Sequence, residues 1–161
     1  MPEHQQEVSR PRYIVGVDGS EASVEALRWA VDEARAHGVP AVHAVMVWAL
    51  PYAGLATSMA PEPYGAPEPY GLPDSALIEQ EARQRLASSI EALGDTSPVE
   101  VRGELLQGQP AGVLRELSHD ADLIVVGSRG HGGFAALMLG SVSAQVVRHA
   151  HCSVVVIRPP S

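Results

Sequence analysis

The chain has 161 residues, of which 45% are hydrophobic and 19% charged, and its formal net charge is −8. That length suits one domain with its own core, and the acidic balance excludes the basic footprint that general nucleic-acid binding needs. No stretch approaches the roughly 20 apolar residues that span a bilayer, and the opening MPEHQQEVSRPR lacks the apolar core of a secretory signal, so the expectation is a cytoplasmic protein with no nucleic-acid or membrane partner.

Residues 1–11 are polar and predicted disordered, and the domain is expected over 12–161. Tyr13–Val17 reads as a short buried strand, and Asp18-Gly19-Ser20 as a turn into a helix. Val24, Leu27, Val31 and Ala34 recur at helical spacing until Gly38-Val-Pro40 ends the run. Ala41–Ala49 is apolar and β-rich, a second strand. A proline-rich loop follows over 51–73. Its residues 60–71 are APEPYG twice over, and proline forbids helix or sheet interior there. It reads either as a tolerated insertion or as a lid or docking arm with Tyr64 and Tyr70 as contacts.

Asp74 or Ser75 caps a second long helix, with Leu77, Ile78, Ala82, Leu86, Ile90 and Leu93 as its stripe and Gly94 as its stop. Val99, Val101 and Leu105 alternate with polar residues, as in a half-buried edge strand. Pro110 suits the first turn of a short helix through Leu117. Leu123–Val126 and Ser153–Arg158 are the fourth and fifth strands, with an apolar helix, Ser141–His149, between them. Alternating strands and helices predict an α/β fold with a parallel sheet covered on both faces. Ligands in such sheets sit beyond the carboxyl ends of the strands, at the switch point.

All 11 basic residues other than histidine are arginine. Without lysine there is no GxxxxGK[ST] phosphate loop and no Schiff-base chemistry. The lone Cys152 cannot form an internal disulfide and reads as a small buried filler; a reactive thiol would need exposure and a lowered pKa. His149 and His151 lack the i, i+4 spacing of a helical metal pair and are better explained by the field at a helix C-terminus. No Ser-His-Asp set or carboxylate pair stands out, so rapid turnover is not supported and slow hydrolysis of a bound ligand is the most that is expected.

The segment DLIVVGSRGHGGFAALMLGSVSAQVV carries the most information. Gly127, Gly130 and the pair Gly140-Ser141 follow the fourth strand in the spacing Gly-x2-Gly-x9-Gly-Ser. Glycines leave N–H groups uncovered and allow positive φ, so the loop can fold around an anion. Ser141 then opens a helix whose N-terminus suits a phosphate.

This segment resembles the nucleotide-binding signature of the universal stress protein family. The likeness extends over Val142-Ser143, over His149-Ala-His-Cys152 and the last strand, and over Tyr13–Ser20, leaving out the loop near 50–73. The resemblance implies a Rossmann-like sheet of five strands in order 3-2-1-4-5, similar to the adenine-nucleotide alpha hydrolases. It also implies an ATP-binding protein of nucleotide-dependent regulation or stress response. Mg²⁺ would be expected with a triphosphate, though no dedicated carboxylate cage is visible.

The nucleotide-binding residues expected on this basis begin with Gly16, Asp18 and Val47. The loop adds Ser128, Arg129, His131, Gly132 and Gly133 to its signature glycines, and the helix start adds Val142 and Ser143. Gly127 and Gly130 should let the backbone approach the triphosphate, and Gly140 with the N–H groups of Ser141 and Val142 should hold the outer phosphates. The Ser141 hydroxyl, and that of Ser143, would add donors. Arg129 either neutralises phosphate or points at solvent, and His131 reads as a surface residue. Asp18 matches a carboxylate near the adenosine moiety, the rival role being a helix cap. Val47 matches an adenine contact, where many relatives carry His-Val and this chain has Met46-Val47.

Alternatives within reach are cyclic AMP as ligand, a slow ATPase or AMP-forming ligase, and an interaction module with a vestigial loop. The pyrophosphatase-loop enzymes carry SGGxDS after the first strand, which Val17–Glu21 does not match. A homodimer is expected through Val154–Ile157, an apolar edge strand that needs covering.

Overall fold

The structure is a computed structural model describing residues 12–50, 74–130 and 139–159. The expectations for the tail 1–11, the repeat at 60–71, and His131, Gly132 and Gly133 lie outside the described residues. Nine elements follow in chain order: β1 (Tyr13–Val17), α1 (Glu21–Ala36), β2 (Ala41–Trp48), α2 (Ser75–Glu91), β3 (Glu100–Gln107), α3 (Pro110–Leu117), β4 (Leu123–Gly127), α4 (Ser141–His149) and β5 (Ser153–Ile157). All strand pairings are parallel, in the order β3-β2-β1-β4-β5. No described helix is long and apolar enough to cross a membrane.

Alternation along the strands divides the core in two. Val15, Val17, Val42, Ala44, Met46 and Val125 face α1 and α2. Ile14, Val45, Ile124 and Val126 face the other way, onto Leu114 of α3 and Val146 of α4. The chain thus crosses from one face to the other between α2 and α3, and β1 and β4 become neighbours whose helices leave in opposite directions. Their carboxyl ends diverge and open a crevice.

Two details differ from the sequence reading. The buried stripe of α1 is built mainly of small residues. Ala26, Ala30 and Ala34 are fully buried together with Leu27, and Ala22 is nearly so, whereas Val24 is half-exposed. An alanine ridge at four-residue spacing lets this helix lie close against the sheet. Leu77 does not join the stripe of α2 and is 62% exposed. At 100° per residue it lies almost opposite the face formed by Ala82, Leu86, Ser89, Ile90 and Leu93.

Candidate functional site

At the end of β1, Asp18 bends the chain into α1. Its Oδ1 accepts from the Ser20 N–H (2.9 Å) and hydroxyl (2.5 Å), and its own N–H donates to Ser23 Oγ (3.3 Å). Ser20 is the N-cap, its side chain accepting from the Ser23 N–H. Asp18 therefore braces the helix start without being the cap. Its other oxygen, Oδ2, lies against Gly130, where an added Cβ would overlap it.

At the end of β4, Ser128 closes the loop. Its N–H donates to the Ile157 carbonyl of β5 (2.7 Å), and its carbonyl accepts from the Gly140 N–H (2.7 Å). Ser128 itself is buried and, contrary to expectation, is not among the residues that line the cavity described below; its link to the site is the main-chain bond to Gly140. Ser143 Oγ lies 3.1 Å from the Ser128 carbonyl and 3.0 Å from that of Gly140, so its one proton is committed inside the fold. It is not an outward donor.

Gly127 and Gly130 serve close approach, and none of the three signature glycines uses left-handed backbone. Positive φ occurs among the described residues at Gly19, Gly38, Gly94 and Gly108, and at none of Gly127, Gly130 or Gly140. A Cβ on Gly127 would stand 2.8 Å from the Ala22 carbonyl carbon, so this glycine makes room for α1. Gly140 is the N-cap of α4, extended at φ −69° and ψ 165°, with no side chain to offer the helix. The N–H groups of Ser141, Val142 and Ser143 thus have no acceptor among the described residues.

These pieces surround a cavity of about 500 Å³ at the divergence of β1 and β4. One end is apolar, with Val45 and Val47 from β2, Pro110 and Leu114 from α3, and Val126. Gly16 forms part of this wall, where a Cβ would meet Leu114 Cδ1 at 3.0 Å. The other end carries Asp18, Arg129, Gly130 and the start of α4 from Gly140 to Ser143. Arg129 is the one cationic side chain among the described lining residues and is exposed. Gly127 lines the cavity between the two ends, while Met46 turns into the opposite core.

The main chain adds a polar group to the apolar end. Carbonyls of β2 point alternately to its two neighbours. Those of Pro40 and Trp48 accept from Glu100 and Gly108 on the β3 side, so the odd-numbered ones point toward β1. The ladder with β1 ends at Val17 opposite Met46. The Val47 carbonyl therefore faces the crevice past the end of β1, and no N–H or O–H of the described residues donates to it.

Val17, Ser23, Val45, Pro110, Leu114, Val126 and Leu139 line the cavity and were not among the residues expected from the sequence. Alternation from Val47 would have found Val45. No local signal marks Pro110 and Leu114, which arrive by the crossover to the second face.

The remaining candidates lie elsewhere. The His151 ring stacks on that of His119, with centroids 3.8 Å apart, and the His151 main-chain N–H donates to Ser118 Oγ (2.9 Å), contacts the helix-end reading missed. Among the described residues no three of His, Cys, Asp and Glu gather as metal ligands do. Cys152 packs beside Val146 and Val154, and burial pushes its thiol up from the ordinary value, the direction of an unreactive side chain.

The Universal stress protein family model matches residues 10–158, and the chain belongs to that family. It is 37% identical over 165 residues to Universal stress protein Rv2005c of Mycobacterium tuberculosis, covering 93% of this chain and 50% of that protein. The chain thus spans about half the length of the curated relatives it matches. Among solved structures, the universal stress protein from Archaeoglobus fulgidus in complex with dAMP superposes with a TM-score of 0.61 at 25% identity, covering 92% of this chain and 98% of that one. A universal stress protein in complex with cAMP gives a TM-score of 0.64 at 21% identity, covering 92% and 97%.

Proposed function

We propose that this universal stress protein domain binds an adenine nucleotide in the crevice between β1 and β4, with ATP as its ligand, and acts in nucleotide-dependent regulation or stress response in the cytoplasm. The observation that carries the reading is the division of one cavity into an apolar end and an anion-suited end. A purine fits between the β2 valines and Pro110 and Leu114 of α3. The Val47 carbonyl, an acceptor, complements the exocyclic amino group of adenine and opposes the oxo group of guanine or hypoxanthine. The three N–H groups of α4, the positive end of its dipole and Arg129 favour phosphate oxygens. The Archaeoglobus fulgidus relative, described as a dAMP complex, supports the same ligand class.

Asp18 Oδ2 is the only carboxylate group lining the described cavity. It suits one ligand of a Mg²⁺ held mainly by phosphates and water, and not an all-protein cage. The α4 and Asp18 groups bind and orient; no side chain in the described lining is placed as a general base by a partner, so turnover is expected to be slow or absent.

The same proposal includes a homodimer through β5. Val154–Ile157 form a sheet edge and are only half-buried. Pairing with a second copy would satisfy the open edge and cover these side chains in a closed, two-fold contact.

Calorimetry tests the ligand. The folded protein should bind ATP, with GTP weaker. Absence of binding to ATP, AMP and cyclic AMP up to millimolar concentration would refute the reading, and mass spectrometry of the protein as purified would identify any nucleotide it carries.

A further inference from the structure

We infer that Ser143 is a positioning residue: its hydroxyl fixes the first turn of α4 so that three backbone donors stay aimed at the phosphate, and it does not itself touch the ligand. The inference rests on the nucleotide reading above.

A helix start that binds an anion faces a conflict. A capping side chain orders the first turn but occupies a donor. The other two long helices accept that cost: Ser20 takes the Ser23 N–H at α1, and Asp74 takes the Ala76 N–H at α2. In α4 the N-cap is Gly140, which takes none. The ordering contact is moved to the third helical residue and reversed in polarity. Ser143 is 4% exposed, and its Oγ donates backward, shared between the Gly140 carbonyl at 3.0 Å and the Ser128 carbonyl at 3.1 Å. Carbonyls are thereby used and no N–H of the first turn is spent.

The anchor is itself held. Ser128 is 2% exposed, and its N–H is tied to Ile157 of β5 at 2.7 Å. Its carbonyl receives the Gly140 N–H at 2.7 Å. Without the Ser143 hydroxyl, that bond would be the one hydrogen bond among the described residues that joins the first turn of α4 to the loop, and the turn could rock about it while Val146 stays seated in the core. The Ser141, Val142 and Ser143 donors would then lose their common aim, and ordering them would be charged to ligand binding.

Calorimetry on Ser143→Ala with AMP, ATP and adenosine tests this, with thermal melts to verify folding. Loss of one neutral hydrogen bond is typically worth about tenfold in an equilibrium constant. AMP and ATP should weaken by about that factor, while adenosine, lacking phosphate, stays within about twofold. Ser143→Thr should restore AMP affinity, because a threonine hydroxyl can reach the carbonyl three residues back. Should the alanine variant not fold, Ser143→Cys gives the same comparison with a weaker donor. Equal losses for adenosine and AMP would assign a general structural role and overturn the inference, as would unchanged AMP affinity. A wild type that binds none of the three ligands refutes the nucleotide reading itself, and the inference with it.

Discussion

Gly127→Ala should damage the fold more than any other alanine placed in the signature. The added Cβ would lie 2.8 Å from the Ala22 carbonyl carbon, 2.9 Å from its Cβ and 3.0 Å from its oxygen. Carbon atoms in contact prefer about 3.5–4.0 Å, so α1 and the end of β4 must separate by nearly an ångström. The obstacle is main chain and has no rotamer to escape into. Nor can α1 tilt freely, because Ala26, Ala30 and Ala34 are seated on the sheet with no exposure. Overpacking of this kind typically costs about 1–3 kcal/mol, and a backbone clash belongs in the upper half of that range. At roughly 2–4 °C per kcal/mol for a chain of this length, a loss of about 2–3 kcal/mol lowers Tm by roughly 4–12 °C. Gly140→Ala is the internal control. Its Cβ would meet nothing closer than 3.5 Å, at the Arg129 Cα and the Ser128 carbonyl oxygen, and its φ of −69° suits any residue. Its cost should stay below about 1 kcal/mol, the ordinary difference at an N-cap. Urea midpoints and thermal melts by circular dichroism measure both. A Gly127→Ala protein within about 0.5 kcal/mol of wild type, or a Gly140→Ala protein destabilised as much as it, would refute the assignment of Gly127 to helix packing.

Gly130→Ala meets a side chain instead, the Asp18 carboxylate, which must swing out of the site. Melting should be unchanged while ATP affinity falls about tenfold by calorimetry; unchanged affinity would remove Asp18 and Gly130 from the binding site. Val155→Arg places a charge in the β5 edge and should convert a dimer to monomer in sedimentation velocity; an unaltered coefficient in a folded protein would put the interface elsewhere. Asp95 sits in the α2–β3 connection, and its carboxyl is held below its ordinary 3.8 first by the Ser97 N–H and then by the Ser97 side chain. A depressed value gives stability that is present at neutral pH and lost as pH falls below about 4, through the folded-state value. Asp95→Asn should therefore flatten the acid limb of the urea midpoint between pH 7 and 3, and an identical limb in both proteins would show that this contact does not contribute.

Local sequence determined the elements because each carries its own signal. Gly38 ends α1, Asp74 caps α2, Pro110 opens α3, and α3 and α4 begin and end where their residues predict, whereas the cap of α1 is Ser20 and not Asp18. The signature spacing likewise marked both the loop and the start of α4, and the Gly140 N–H donating to the Ser128 carbonyl is the contact that joins them. Tertiary structure alone decided what each group does there. Gly127 must leave room for Ala22, more than a hundred residues away, a demand that the signature spacing does not show. Ser143 looks like a ligand donor until its hydroxyl is seen turned back on Ser128. The apolar end of the cavity depends on Pro110 and Leu114, which reach β2 only because the chain crosses to the second face of the sheet. Helix and strand periods are short-range and are written in neighbouring residues. The side on which a hydroxyl finds its acceptor, or the helix that fills the space a missing Cβ leaves, depends on contacts between distant segments that no local pattern encodes.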